Sequence, residues 1–110
     1  AGSKWVNLAK DMGIRVAQEI FADRALNADG SLVSRSHPNS VIHDTEEVVK
    51  RSIKMVSTGV ATAITGEEIS VEADSLCIHG DTPNAVELAK ALKTELMANG
   101  IEIVPVGRLV

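Results

Sequence analysis

The stretch that decides the fold is SLCIHGDTPNAVELAKALKTELMA, residues 75–98. It starts with a short apolar run, passes through the polar loop HGDTP at residues 79–83, and continues into a segment with helical periodicity. Thr82 and Pro83 have the pattern of a helix N-cap followed by proline at the first helical position. The stretch therefore predicts a strand, a loop and a helix that runs to about Ala98. The apolar face of this helix comprises Ala85, Leu88, Ala89, Leu92 and Leu96.

The same alternation extends in both directions from this stretch. Towards the N-terminus, we predict a helix over residues 3–12 capped by Ser3, a strand over residues 14–19, a helix that starts at Asp44 and ends at Gly59, and a hairpin within residues 60–71. Towards the C-terminus, residues 101–104 predict a final strand. Alternation of this kind is typical of an α/β fold with parallel strands joined by crossover helices.

The connection between residues 20 and 43 is unusually long for so small a chain. Its turn sequence NADG, residues 27–30, predicts a small hairpin between residues 24–26 and 31–33. The following residues 34–40 are polar and contain Pro38. Long connections of this kind are often functional, so this segment is a candidate binding loop.

The chain has too few strands for its helices. It opens on a helix that already has an apolar stripe, and three main strands form a thin sheet for three amphipathic helices. We therefore expect residues 1–110 to be the C-terminal part of a single larger (β/α) TIM-like barrel domain, with the N-terminal half absent from this chain.

Composition excludes several classes of function. Eleven basic and fifteen acidic residues give a net charge of −4, which argues against nucleic acid or an anionic membrane as the main partner. Trp5 and Phe21 are the only aromatic residues, so no stacking platform for bases is available. Cys77 is the only cysteine and no signal peptide or membrane-spanning run is present. These features favour the cytoplasm.

The loop after the 75–78 strand is the first candidate site, because parallel α/β folds bind ligands at the carboxyl ends of their strands. His79 can transfer protons near neutral pH, and Asp81 can orient an imidazole or accept a proton. Gly80 allows close approach of a ligand, and the helix start at Thr82 can hold an anion. The alternative is that Asp81 or Thr82 only caps the helix and His79 is a core residue.

The loop after the 14–19 strand is the second candidate. Glu19, Asp23 and Arg24 could together bind a carboxylate and supply acid–base chemistry. The alternative is a buried salt bridge that ties the long loop to the barrel rim. In the polar loop, Ser34 and Arg35 are candidates for binding phosphate or carboxylate. The spacing of the three histidines matches no compact zinc pattern, so the metal ligands, if any, are unknown.

Two long motifs and one short stretch resemble a known family. The motifs are QEIFADRALNADGSLVSR at residues 18–35 and ADSLCIHGDTPNAV at residues 73–86, and VIHD at residues 41–44 fits the same pattern. Together they resemble the LamB/YcsF family, the family of the A subunits of 5-oxoprolinase, which are also called lactam utilization proteins. The resemblance covers nearly the whole chain in the family's order and spacing, and two separate motifs make it specific.

The resemblance implies a fold and a function. The fold is a (β/α) barrel, similar to that of carbohydrate deacetylases and glycosidases. Family members act with two other subunits to open the lactam of 5-oxoproline (pyroglutamate) to L-glutamate with ATP as co-substrate, with Mg expected beside it. By position, the resemblance carries catalytic roles to Glu19, Asp23, His79 and Asp81. Binding roles fall to Arg24, Ser34, Arg35, Gly80 and Thr82.

The chemistry of a lactam is consistent with those residue types. A lactam amide is unreactive, and phosphorylation of its oxygen by ATP would make a better electrophile. Such a step needs cations such as Arg24 or Arg35 and an acid–base group such as His79 or Asp81.

The chain departs from the family in one respect. Full members are about twice as long and open with an acidic motif containing Asn and Gly, which nothing here matches. We therefore expect a fragment, a proteolytic product or one half of a split protein, completed by the missing half or a second chain and inactive alone. Two alternatives stay open, namely a metal-dependent amide hydrolase or deacetylase on the same barrel and a non-catalytic module for subunit contact.

Overall fold

Helices and short strands alternate along the chain in a computed structural model that describes residues 1–110. The helices are α1 (Lys4–Asp11), α2 (Thr45–Thr58) and α3 (Ala85–Ala98). The strands are β1 (Glu19–Phe21), β2 (Val60–Thr62), β3 (Glu68–Ser70) and β4 (Ser75–Cys77). A single 3-10 turn, Val106–Arg108, follows α3.

The parallel pair β1–β4 confirms the predicted strand arrangement. Glu19 lies opposite Ser75 and Phe21 lies opposite Cys77. Because the carboxyl ends of parallel strands meet at the same edge, the loops after Phe21 and Cys77 lie side by side. The predicted hairpin is also confirmed, since β2 and β3 pair antiparallel in a separate two-stranded sheet.

Helix α2 links the two hydrophobic clusters of the fold. One cluster joins α2 to α3 beneath the end of β1, and the other joins α2 to β1 and the hairpin. Burial of each large aliphatic side chain contributes about 1.5–3 kcal/mol, so these clusters dominate the stability of the chain. The first contains Ala22, Val48, Val49, Leu88 and Leu92, and the second contains Ile20, Leu26, Met55 and Ala61.

Two predicted helix starts and one helix end are confirmed. Asp44 is the N-cap of α2, and its carboxylate accepts hydrogen bonds from the backbone N–H groups of Glu46 (2.9 Å) and Glu47 (3.4 Å). Ser3 caps α1 and accepts from the N–H of Trp5. Gly59 ends α2 in the left-handed conformation, with φ of +68°.

The predicted cap of α3 is wrong. The helix begins at Ala85 rather than directly after Thr82, and Asn84 is its N-cap, with φ of +65° and no side-chain hydrogen bond. The Thr82 N–H instead donates to the carbonyl of His79, which closes a turn. This turn separates the loop from the helix, so Thr82 and Pro83 lie in the connection.

One predicted strand is wrong in extent and another is absent. The strand expected over residues 14–19 begins only at Glu19, and the one expected over residues 101–104 does not form. A strand needs a neighbour for its backbone groups, and β4 pairs with β1 alone. Ile101 donates its N–H back to Leu96 at the end of α3 instead.

Much apolar surface faces outward. Helix α1 has no buried residue, and Trp5 is 81% exposed. The accessible surface is 7184 Å², whereas a monomer of 11.6 kDa normally shows about 5,800 Å². The structure is thus a mixed α/β unit with parallel strands and apolar faces that no other part of the chain covers.

Candidate functional site

A histidine and a buried carboxylate meet where β1 and β4 end. His79 Nδ1 lies 3.0 Å from Asp23 Oδ1. The side chain of Asp23 is 1% exposed and that of His79 is 25% exposed. The two residues are 56 positions apart in sequence, and the parallel pairing of β1 with β4 brings them together.

The ring of Phe21 fixes the His79 imidazole from one face. The two ring centroids are 5.5 Å apart and the planes are inclined by 17°, which is a stacked arrangement. Phe21 is the last residue of β1 and Asp23 follows two residues later. Asp23 therefore contacts the edge of the imidazole and Phe21 contacts its face. Both residues belong to the short segment of residues 21–23, which we call the site turn.

The pair has the arrangement of a general base with its orienting carboxylate. When Asp23 is ionised, its Oδ1 accepts the Nδ1–H of His79, so Nε2 has the free lone pair that can take a proton. The other carboxylate oxygen, Oδ2, is buried and has no hydrogen-bond partner in the protein.

Arg51 of α2 holds the backbone of the site turn, a role that the sequence did not predict. Its Nη1 donates to the carbonyl oxygens of Phe21 (2.8 Å) and Ala22 (2.7 Å). Burial lowers the pKa of Arg51, an effect that the nearby carboxylates of Glu47 and Asp23 oppose. The sequence feature that could have indicated this role is an arginine close to the buried positions Val48 and Ser52 of an amphipathic helix.

Arg24 fastens the polar loop, residues 34–40, from within the protein. Its Nε donates to the carbonyl of Ser40 (3.3 Å) and its Nη2 donates to the carbonyl of Val33 (2.9 Å), and the residue is buried. The expected tie of the long loop therefore exists, but through carbonyl groups instead of a salt bridge. A phosphate-binding role for Arg24 stays a prediction, with two of its donors already used.

The remaining loop candidates lie at the surface. Ser34 and Arg35 are exposed in the polar loop, and Ser34 Oγ lies 2.8 Å from Ser36 Oγ. Asp81 and Gly80 are exposed beside His79, and Thr82 is half-buried. The structure places Gly80, Asp81 and Thr82 next to the pair without giving Asp81 a side-chain hydrogen bond.

Glu19 lies away from the pair, at the amino end of β1. Its side chain is exposed and its carbonyl accepts from the N-terminal ammonium group (2.6 Å). The site lies at the carboxyl end of the same strand, so the structure does not bring Glu19 to His79. Its catalytic role stays a prediction that this geometry does not favour.

Cys77, at the end of β4, is not an activated nucleophile. Burial raises the pKa of its thiol, and the negative charges of Glu19 and Asp23 raise it further. No group of three or more His, Cys, Asp or Glu side chains could hold a metal ion. No helix combines the length and the apolar character needed to cross a membrane.

Comparison with known proteins extends the resemblance over the whole chain. The 5-oxoprolinase A subunit of Pyrococcus furiosus is 50% identical over 107 residues, which is 97% of this chain and 42% of that protein. The corresponding protein of Thermococcus onnurineus is 46% identical over 110 residues, all of this chain and 43% of that protein. The chain thus spans about two fifths of the length of these curated relatives.

A solved structure shares the fold. The crystal structure of the lactam utilization protein from Thermus thermophilus superposes with a TM-score of 0.83 at 41% identity, over 93% of this chain and 40% of that chain. A profile of the LamB/YcsF family matches residues 1–110. The chain therefore belongs to the LamB/YcsF family.

Proposed function

We propose that this chain is part of a subunit of 5-oxoprolinase and that Asp23 and His79 supply the acid–base chemistry that opens the lactam of 5-oxoproline to L-glutamate. One observation supports the site above all. A buried carboxylate contacts a partly exposed imidazole at 3.0 Å, at the carboxyl ends of two parallel strands, where α/β enzymes place their chemistry. Relatives named as A subunits of 5-oxoprolinase support the substrate.

The proposed reaction adds one water molecule across the lactam C–N bond. His79 Nε2 takes a proton from water while the water oxygen forms a bond to the lactam carbonyl carbon, and the π electron pair of the C=O bond moves onto the carbonyl oxygen. That pair re-forms the C=O bond in the next step. The C–N bond then breaks, and His79 returns the proton to the departing nitrogen, which becomes the amino group of glutamate. Asp23 stabilises the imidazolium that exists between these two transfers.

We assign the use of ATP and Mg to other parts of the enzyme. This chain has no group of three metal-binding side chains, and Arg24 uses two of its donors on carbonyl groups. Arg35 is an exposed guanidinium in the polar loop and remains our candidate for contact with a phosphate. A metal-dependent deacetylase built on His79 and Asp81 stays the alternative prediction.

We also propose that the chain works together with the remainder of a (β/α) barrel and with two other subunits. Its relatives are more than twice as long, and the apolar stripe of α1 has no cover within residues 1–110. A barrel provides such cover because each helix packs on strands of the closed sheet.

The test is His79→Ala in the assembled enzyme, with 5-oxoproline cleavage as the readout. We expect kcat to fall by about 100-fold or more, the usual contribution of a positioned acid–base group. His43→Ala is the matched control, because His43 is also a loop histidine but is exposed and has no side-chain partner. Cleavage by the His79→Ala enzyme at the control rate would show that the assignment of His79 is wrong.

A further inference from the structure

Arg51 and β4 hold the site turn between them. Ala22, at the centre of the turn, is fully buried. Its N–H donates to the carbonyl of Cys77 on β4 (3.1 Å), and its carbonyl accepts from Arg51 Nη1 (2.7 Å). The residues on either side of Ala22 are Phe21 and Asp23, the two that contact His79.

We propose that Arg51 is a positioning residue for the Asp23–His79 pair, acting through its hydrogen bonds to the carbonyl groups of Phe21 and Ala22. This inference rests on the function proposed above. Arg51 has no hydrogen bond to His79, so its effect would pass through the backbone of the site turn. A small shift of this backbone would move both side chains that hold the imidazole.

An arginine is well suited to this position. The two carbonyl oxygens are successive along the chain, and Nη1 reaches both within 2.8 Å. A guanidinium presents several donors in a rigid plane, so it can bind two acceptors at once with little rotational freedom. A lysine has one flexible ammonium group and would hold the same turn less firmly.

The charges around the turn support the same role. Asp23 is buried with an unpartnered Oδ2, and a nearby cation offsets the cost of that negative charge. Arg51 is the cation on α2 that interacts with Asp23, and Glu47 on the same helix interacts with Arg51. Asp23, Arg51 and Glu47 therefore form one group of interacting charges at the site turn.

Three variants of the assembled enzyme test the proposal. Arg51→Gln removes the charge and the double hydrogen bond, and we expect kcat to fall by about 10- to 100-fold with KM within about twofold, because misplacement of a catalytic group affects the chemical step. Arg51→Lys should lie between Arg51→Gln and the wild type. Lys54→Gln is the control, because Lys54 lies one turn further along α2 and bonds Glu68 and Thr62 instead.

A second measurement separates positioning from folding. The imidazole nitrogens of ¹⁵N-labelled His79, observed by NMR, should show loss of the fixed Nδ1–H state in Arg51→Gln but not in Lys54→Gln. A kcat and a nitrogen spectrum equal to those of Lys54→Gln would overturn the proposal. A second pair of results would also overturn it: Arg51→Gln fails to assemble, and Arg51→Lys has the kcat of the wild type. Arg51 would then serve folding only.

The two proposals fail in different ways. If His79→Ala is inactive and Arg51→Gln is fully active, the role of Arg51 is wrong and the function of the pair stands. If His79→Ala is itself fully active, the proposed function is wrong and the role of Arg51 falls with it.

Discussion

At the scale of single residues, the structure separates the candidates by what each side chain contacts. Asp23 and His79 form a pair, with Asp23 buried and His79 still reachable from solvent. Arg24 lies next to Asp23 in sequence but points its donors at the carbonyls of the polar loop. Two adjacent charged residues thus take different tasks, because the turn at residues 22–23 directs Asp23 towards His79 and Arg24 towards the polar loop.

The thiol of Cys77 gives a prediction at this scale. Burial and the charges of Glu19 and Asp23 raise its pKa, so the thiolate forms only at higher pH than in a free cysteine. We expect the pH midpoint of its alkylation by iodoacetamide to exceed that of free cysteine, and Glu19→Gln to lower this midpoint by removing one negative charge. Glu102→Gln, an exposed residue after α3, is the control. A midpoint below that of free cysteine would contradict the prediction.

At the scale of elements, helix α2 connects the site to the rest of the fold. It packs against α3 and the site turn through Val48 and Val49, and against the hairpin through Met55. It also supplies Arg51. The transition from α2 to β2 occurs at Gly59, whose φ of +68° reverses the chain within one residue. The geometry of the hairpin relative to the site therefore depends on this glycine.

Replacement of Gly59 should destabilise the protein more than replacement of a similar glycine elsewhere. Gly59→Ala imposes a left-handed conformation on alanine, at a cost of about 1–2 kcal/mol, and its new Cβ would lie 3.3 Å from the Val71 carbonyl oxygen. Gly100→Ala, after α3, has φ of +77° but open space around the new Cβ. Urea unfolding of the assembled protein should show the larger decrease in the free energy of unfolding for Gly59→Ala. An equal or larger decrease in the free energy of unfolding for Gly100→Ala would show that the contact of the new Cβ with Val71 does not destabilise the protein.

At the scale of the whole molecule, the chain has more exposed apolar surface than a self-sufficient domain of its size. Eighteen of 110 residues are buried. Many of the exposed apolar side chains lie on or just after α1 and in the segment after α3, and these include Trp5, Leu8, Met12, Ile103 and Leu109. An apolar groove of about 450 Å³ lies between β4, α3 and residues 101–104. Uncovered faces of this kind weaken folding because the hydrophobic contribution is incomplete.

The isolated 110 residues should therefore be poorly folded and inactive. Trp5 is the only tryptophan of residues 1–110, so the emission that is lost in Trp5→Phe, taken as a difference spectrum, reports on the cover of α1. We expect emission typical of a water-exposed indole in the isolated chain and a shift to shorter wavelength in the assembled enzyme. Val86, exposed on α3, offers a control: Trp5→Ser should weaken assembly more than Val86→Ser does. A cooperative melt together with 5-oxoprolinase activity from the isolated chain would contradict this prediction.

Local patterns in the sequence were sufficient to predict the helices and to recognise the resemblance to a family. The capping groups Ser3 and Asp44 and the stop at Gly59 act on their own backbone neighbours, so they predict helix ends without knowledge of the fold. The same locality explains the errors. The strands expected over residues 14–19 and 101–104 have suitable side chains, but strand formation requires a partner that sequence patterns do not show.

The candidate site could be assembled only from the tertiary structure. The sequence indicated His79 and Asp23 as separate candidates in two loops, and only the parallel pairing of β1 with β4 puts them 3.0 Å apart. It also offered no reason to select Asp23 over Glu19, or to expect Arg51 at the site turn. Residue types and local periodicity are properties of the chain, whereas a hydrogen bond between residues 56 positions apart depends on how the elements pack.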